Sequence, residues 1–203
     1  MKLYFAPRTR ASRPRWLLEE LGVPYELVRL DLSTQENRAP EFLAVSPLGQ
    51  LPALVDGDTT LLEPSAICLY LADRYPEKEL APPPGSVERG AYYQWLLFAE
   101  VTLQPAVTKL HEHAQLPEDQ KSSSHVLDAL AKHRAWLNAV LDVIDTQVAE
   151  RDFLAAGRFT VADLVTASIL HLANHLKLLE ERPRLVNYVY LHCQRPACGR
   201  AVT

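Results

Sequence analysis

Apolar and polar positions alternate at two different periods along this chain, and the period changes near residue 78. Residues 3–5 (Leu-Tyr-Phe) read as a strand, and residues 16–21 (Trp-Leu-Leu-Glu-Glu-Leu) read as a helix. Gly22 supplies a helix stop with Pro24 just beyond it, and residues 25–30 return to a strand, giving a βαβ unit. A short helix is predicted over 40–45. Residues 49–73 then carry the densest local signal. Pro52 opens a short apolar strand, Asp56-Gly57-Asp58 turns it back, and Glu63 leads through Pro64 into a helix that runs to about residue 75. The order βαβαββα over residues 1–77 predicts an α/β domain, a small mixed sheet covered by helices. A hairpin edge and a helix start brought together in this way converge on one small ligand.

Residues 78–86, Lys-Glu-Leu-Ala-Pro-Pro-Pro-Gly-Ser, read as a stiff extended linker. From 87 to 203 the pattern is helical, which predicts an all-α bundle. Tyr92, Leu96, Ala99, Leu103 and Val107 form one apolar stripe; Leu127, Leu130, Leu137, Leu141, Ile144 and Val148 follow a near-heptad line interrupted by Arg134. Pro105 falls inside the first long helix, where the missing N–H predicts a bend. A second apolar face on that helix, Trp95, Phe98 and Thr102, needs a partner: the first domain, another subunit or an apolar ligand. Phe159-Thr160-Val161-Ala162-Asp163-Leu164 reads as a capping box with a hydrophobic staple, a structural feature.

Composition narrows the classes. The chain has 203 residues, is 48% hydrophobic and carries a formal charge of -4, so neither nucleic acid nor an anionic membrane is attracted globally. Arg8, Arg10, Arg13 and Arg15 run against that average, over a patch that suits a small partner. No apolar run approaches a membrane span and no signal segment follows Met1, so a cytoplasmic protein is expected. Three cysteines, none in a Cys-x-x-Cys spacing, fit a reduced compartment, and Cys68 reads as a buried, inert thiol. His171 and His175 stand one helical turn apart, but Leu172 occupies the place of a general-base glutamate and no third ligand is evident; no metal is expected. His111 and His113 lie on different sides of a helix; His111 can reach an apolar pocket from its helix end.

The pieces together resemble a cytosolic glutathione S-transferase of bacterial type. The resemblance rests on Leu3-Tyr4-Phe5-Ala6-Pro7, residues 13–22, Pro40-Glu41-Phe42-Leu43, Ser46-Pro47-Leu48-Gly49, Leu51-Pro52-Ala53-Leu54-Val55, residues 66–73 and the Thr160–Asp163 box, in their order and spacing. It implies a thioredoxin-like N-terminal domain that holds glutathione as co-substrate, an all-helical C-terminal domain that supplies the pocket for the electrophile, and a homodimer engaged in detoxification. It also implies a cis Leu51-Pro52 bond that frees the Leu51 amide and carbonyl for the cysteinyl part of glutathione, as a strand edge grips an extended peptide. Glu63 matches the acidic position that pairs with the γ-glutamyl ammonium. The next position in the family is commonly serine; here it is Pro64, with neither hydroxyl nor amide, and Ser65 can supply both groups to the carboxylate from the helix start.

The remaining task is to stabilise a thiolate, since a thiol with a pKa near ~8.5 is only slightly ionised at neutral pH. The family draws the donor from the loop after the first strand, here residues 7–13. Thr9 matches the serine position of one branch and Arg10 the cysteine or asparagine position of another; Ser12 is a third candidate. Thr9 as hydroxyl donor with Arg10 adding positive potential is the favoured reading, beside the alternative that Thr9 or Ser12 merely caps the helix. Asn37 and Gln50 match positions that in the family approach the glycyl carboxylate or nearby backbone. Trp95, Phe98, Thr102 and His111 are the expected electrophile pocket. The activity implied is addition of the glutathione sulfur to small hydrophobic electrophiles. The alternatives are glutathione-dependent disulfide or peroxide reduction or isomerisation, a non-catalytic transferase-like binding protein, and a dimeric interaction module.

Overall fold

The computed structural model describes residues 1–202. The chain divides into two compact units, one of Met1–Pro83 with the C-terminal stretch from Gln194, the other Pro84–Cys193.

The first unit is a four-stranded sheet of β1 (Lys2–Phe5), β2 (Glu26–Arg29), β3 (Ala53–Asp56) and β4 (Thr59–Leu62) in the order β2-β1-β3-β4. β1 pairs parallel with β2, Leu3 opposite Leu27, and antiparallel with β3, Leu3 opposite Leu54. The helices are α1 (Ser12–Leu21), the short α2 (Pro40–Leu43) and α3 (Pro64–Arg74). Leu3, Phe5 and Leu54 of the sheet, Leu17, Leu18 and Leu21 of α1, and Ile67, Cys68 and Leu71 of α3 are fully buried, which makes one apolar core. Gly22 ends α1 at φ 67°, its amide donating to the Leu18 carbonyl at 3.0 Å; in that left-handed conformation a side chain would be strained.

The C-terminal helix α10 (Pro196–Val202) belongs to this first unit and not, as the sequence pattern suggests, to the helical one. It packs on α1. Two carboxylates of α1 supply the physical reason. Glu20 takes a two-pronged hydrogen bond from Arg195 at 2.7 and 2.8 Å, and Glu19 is paired with Arg200. Apolar periodicity does not register such a clamp, because a seven-residue helix has too few positions to show a face.

The second unit contains α4 (Val87–Leu97), α5 (Gln104–Ala114), α6 (Glu118–Lys121), α7 (Ser124–Gln147), α8 (Val161–His175) and α9 (Pro183–Cys193). The predicted first long helix is resolved into α4 and α5 by a wide π-helical turn over Phe98–Leu103. Pro105 then sits in the first turn of α5, directly after the widened turn, where a missing N–H is tolerated. α8 is the most buried helix, with Val161, Leu164, Val165, Leu170 and Ala173 inside. Its capping box is present. The Asp163 carboxylate accepts from the Thr160 amide at 2.9 Å, the Leu154 amide at 2.8 Å and the Tyr188 hydroxyl at 2.9 Å. Burial nevertheless raises its pKa from the ordinary value of an aspartate. Among the described residues no helix is long and apolar enough to cross a membrane.

Candidate active site

A cavity of about 400 Å³ opens on the first unit. Thr9 and Arg10 line it from the loop before α1, Gln50, Leu51 and Pro52 from the loop before β3, and Glu63 and Pro64 from the start of α3. Asn37 completes the set. Eight of the ten residues assigned to catalysis and glutathione by sequence therefore meet in one place, while Ser12 and Ser65 are outside the lining.

The wall before β3 is built by interlocking two loops. Asn37 Nδ2 donates to the Gly49 carbonyl at 2.9 Å, and Arg38 Nη1 to the Leu48 carbonyl at 3.1 Å. Ser46 Oγ donates to the Gln50 carbonyl at 2.9 Å and accepts from the Gln50 amide at 3.2 Å. Gly49 stands at φ 62°, and a Cβ there would lie 2.6 Å from the Asn37 carbonyl oxygen. Only glycine fits so close an approach. Beyond these ties the Leu51-Pro52 bond is cis. The Leu51 amide and carbonyl form no hydrogen bond among the described residues, which leaves a strand-edge donor and acceptor facing the cavity.

Arg38, Ser46 and Gly49 were not singled out from sequence as functional. Asn37, expected near the glycyl carboxylate or nearby backbone, has its amide nitrogen committed to the Gly49 carbonyl. The signal that could have found the holders is the Ser46-Pro47-Leu48-Gly49 turn itself, whose glycine demands a close neighbour.

At the opposite wall Glu63 occupies φ 66°, ψ 120° at the N-cap of α3, and Pro64 fills the first helical position. The Glu63 side chain is exposed and makes no hydrogen bond or ion pair among the described residues. A left-handed backbone for a residue with a long side chain is a conformation of the kind kept at ligand sites.

The loop of residues 7–13 departs from the favoured reading. Thr9 Oγ1 donates its proton to the Ala6 carbonyl at 2.7 Å and accepts from the Ala11 amide at 3.2 Å. Ser12 Oγ donates to the Thr9 carbonyl at 3.1 Å. Each hydroxyl has one proton, so neither is turned toward a ligand in this arrangement. Arg10 is different: its guanidinium is exposed, lines the cavity and has no hydrogen bond or ion pair among the described residues.

In the helical unit Trp95 is 6% exposed and meets Phe98 edge-on, ring centroids 5.5 Å apart. Thr102 lies in the π turn. His111 is further along α5, its Nε2 3.0 Å from Gln115 Nε2, and its neighbour His113 pairs with His133 of α7 at 2.9 Å. Among the described residues there is no group of three or more His, Cys, Asp or Glu side chains placed to hold a metal.

A thioredoxin-like unit with a cis-proline edge, joined in one chain to a helical unit, is the architecture that the resemblance implies. Comparison with known proteins makes the assignment. The pattern described as "Glutathione S-transferase, N-terminal domain" matches residues 1–73, and "Glutathione S-transferase, C-terminal domain" matches residues 99–196. Glutathione S-transferase 3 of Zea mays is 33% identical over 164 residues, 80% of this chain and 73% of that one. Glutathione S-transferase GstA of Escherichia coli O157:H7 is 30% identical over 206 residues, 100% of this chain and 98% of its own. A sphingomonad glutathione S-transferase solved in complex with glutathione superposes with a TM-score of 0.82 at 31% identity, covering 100% of this chain and 97% of that one. The chain belongs to the glutathione S-transferase family and is a glutathione transferase.

Proposed function

We propose that the cavity holds glutathione along the Leu51 edge and that the enzyme joins its sulfur to a small electrophile with a hydrophobic body. The observation that carries this reading is the unpaired Leu51 main chain between Arg10 and Glu63. The cysteinyl backbone pairs with the Leu51 amide and carbonyl, as a peptide adds to a sheet edge. The γ-glutamyl ammonium meets the Glu63 carboxylate, and its carboxylate meets the amide-rich start of α3, where Ser65 stands one residue beyond Pro64. The sulfur then faces residues 7–13. Arg10 holds the thiolate by charge and by N–H donation, the role the sequence suggested for Thr9 with Arg10 in support.

In conjugation the thiol proton goes to solvent, the thiolate attacks the electrophilic carbon, the C–S bond forms, and the leaving group departs with its electron pair. Binding both reactants together supplies most of the acceleration, with the thiolate held ready. Trp95, Phe98, Thr102 and His111 are the helical unit's candidates for contacts with the electrophile. We further propose a cytoplasmic homodimer with a detoxifying role. Tyr93, Leu97 and Val101, 44%, 58% and 68% exposed along α4 and the π turn, support a covered face.

The experiment is calorimetric titration with glutathione followed by product analysis on an electrophile panel. A saturable complex, weakened about tenfold in Glu63→Gln, and a stable thioether product are expected. Binding without turnover of any electrophile would point to the non-catalytic alternative, and consumption of glutathione without thioether to reduction or isomerisation.

A further inference from the structure

A second cleft, of about 820 Å³, lies beside the first, and Leu32 lines both. It is formed by the loops that leave the carboxyl ends of the parallel neighbours β1 and β2. Its floor is apolar, with Ala6, Pro7, Leu30 and Leu32. Two arginines, Arg8 and Arg29, line it, and Arg10 is two residues from Arg8 on the rim of the glutathione cavity.

The charges in this cleft are not equivalent. Asp31 and Glu36 also line it, but each is tied into the turn that follows β2. Asp31 Oδ1 accepts from the Ser33 amide at 2.8 Å and the Ser33 hydroxyl at 2.7 Å, and Glu36 Oε2 accepts from the Asp31 amide at 2.7 Å. Arg29 acts electrostatically on Asp31. Arg8 has no such counterpart: its guanidinium is exposed and forms no hydrogen bond or ion pair among the described residues. Its backbone is held at φ 60°, a left-handed conformation that a long side chain adopts only when its surroundings impose it. Arg8 and Arg10 thus flank Thr9 in the chain as two uncompensated cations, Arg8 on the second cleft and Arg10 on the first.

We infer that this second cleft seats the other substrate and that the substrate carries a carboxylate, which Arg8 receives with support from Arg29 while the apolar floor takes its ring or chain. The inference rests on the reading that glutathione occupies the first cavity. A carboxylate so held would place the reacting carbon beside the thiolate, and a neutral analogue of the same shape would lack the charge-assisted bond. The specificity of the enzyme is then for acidic electrophiles rather than for hydrophobic ones as a class.

The test uses a matched pair, a chlorodinitrobenzoate and its methyl ester, with rates divided by the uncatalysed reaction of each with glutathione. Substitution forms the C–S bond and releases chloride with its electron pair in both. The wild-type enzyme should prefer the carboxylate by about tenfold in kcat/KM, the size of one charge-assisted contact. The ratio should fall to near one in Arg8→Gln, recover in part in Arg8→Lys, and fall by about threefold in Arg29→Gln. Calorimetry with a dinitrobenzoate lacking the chlorine, against its methyl ester, should show the same preference without any turnover. That measurement separates the two readings, because it does not require conjugation. A ratio near one in the wild type by both methods, or a preference unchanged in both Arg8→Gln and Arg29→Gln, overturns the inference.

Discussion

The loop before β3 and the loop before α1 border the same cavity and are built in opposite ways. In residues 46–50 the polar side chains of neighbouring residues are committed to main-chain groups, so the edge that offers Leu51 is held from behind by Asn37, Arg38 and Ser46. In residues 7–13 the hydroxyls are committed inward and the guanidinium groups of Arg8 and Arg10 are left untied. The difference teaches where shape and where charge reside in this enzyme. A peptide backbone is recognised by a fixed geometry, which needs rigid support; a thiolate is recognised by potential, which a long, unpaired guanidinium supplies without a fixed seat.

The largest expected effect breaks the rigid side of this comparison. Gly49→Ala forces a Cβ against the Asn37 carbonyl at a left-handed position, and the KM for glutathione should rise by about a hundredfold in steady-state kinetics. Asn37→Ala removes one tie and leaves the loop otherwise intact. It should raise that KM by about tenfold with kcat at saturating glutathione little changed, since a positioning residue acts on the grip and not on the chemical step. A fall in kcat alone would place Asn37 on the reacting groups instead.

Smaller effects sharpen the comparison. Glu19 loses solvent on burial, which opposes ionisation, but its hydrogen bonds from Arg200 and Tyr25 outweigh this and hold the carboxyl below its ordinary value. A carboxyl lowered in the folded state stabilises the fold above the unfolded value near ~4.3 and loses that contribution as pH falls through the folded one. Arg200→Ala should therefore reduce stability by roughly 0.5–1 kcal/mol at neutral pH, and the difference from wild type in urea titrations should vanish in acid. Ser12→Ala should change kcat less than about twofold, because its hydroxyl is turned to the Thr9 carbonyl.

Much of this was legible in the chain. The strand and helix order of the first unit, the Thr160–Asp163 box and the proximity of Leu51, Glu63 and the arginine-rich loop follow from local patterns with short-range causes. Three features were not. The docking of α10 on α1 depends on ion pairs between residues 175 and 181 positions apart, which no periodicity records. The segment before Pro105 widens into a π turn, a choice that the proline alone does not fix. The direction of the Thr9 proton depends on a carbonyl three residues earlier, so a residue type suited to donation turns out to be engaged.

Charge from Arg10, and not a hydroxyl from Thr9, is proposed to ready the glutathione sulfur. Ultraviolet titration of the thiolate in the enzyme–glutathione complex tests it directly, with wild type, Arg10→Ala and Thr9→Val compared across pH. The claim predicts a thiol pKa depressed in wild type, returned upward by about one unit in Arg10→Ala, and nearly unmoved in Thr9→Val. A pKa that rises in Thr9→Val while Arg10→Ala matches wild type would contradict it.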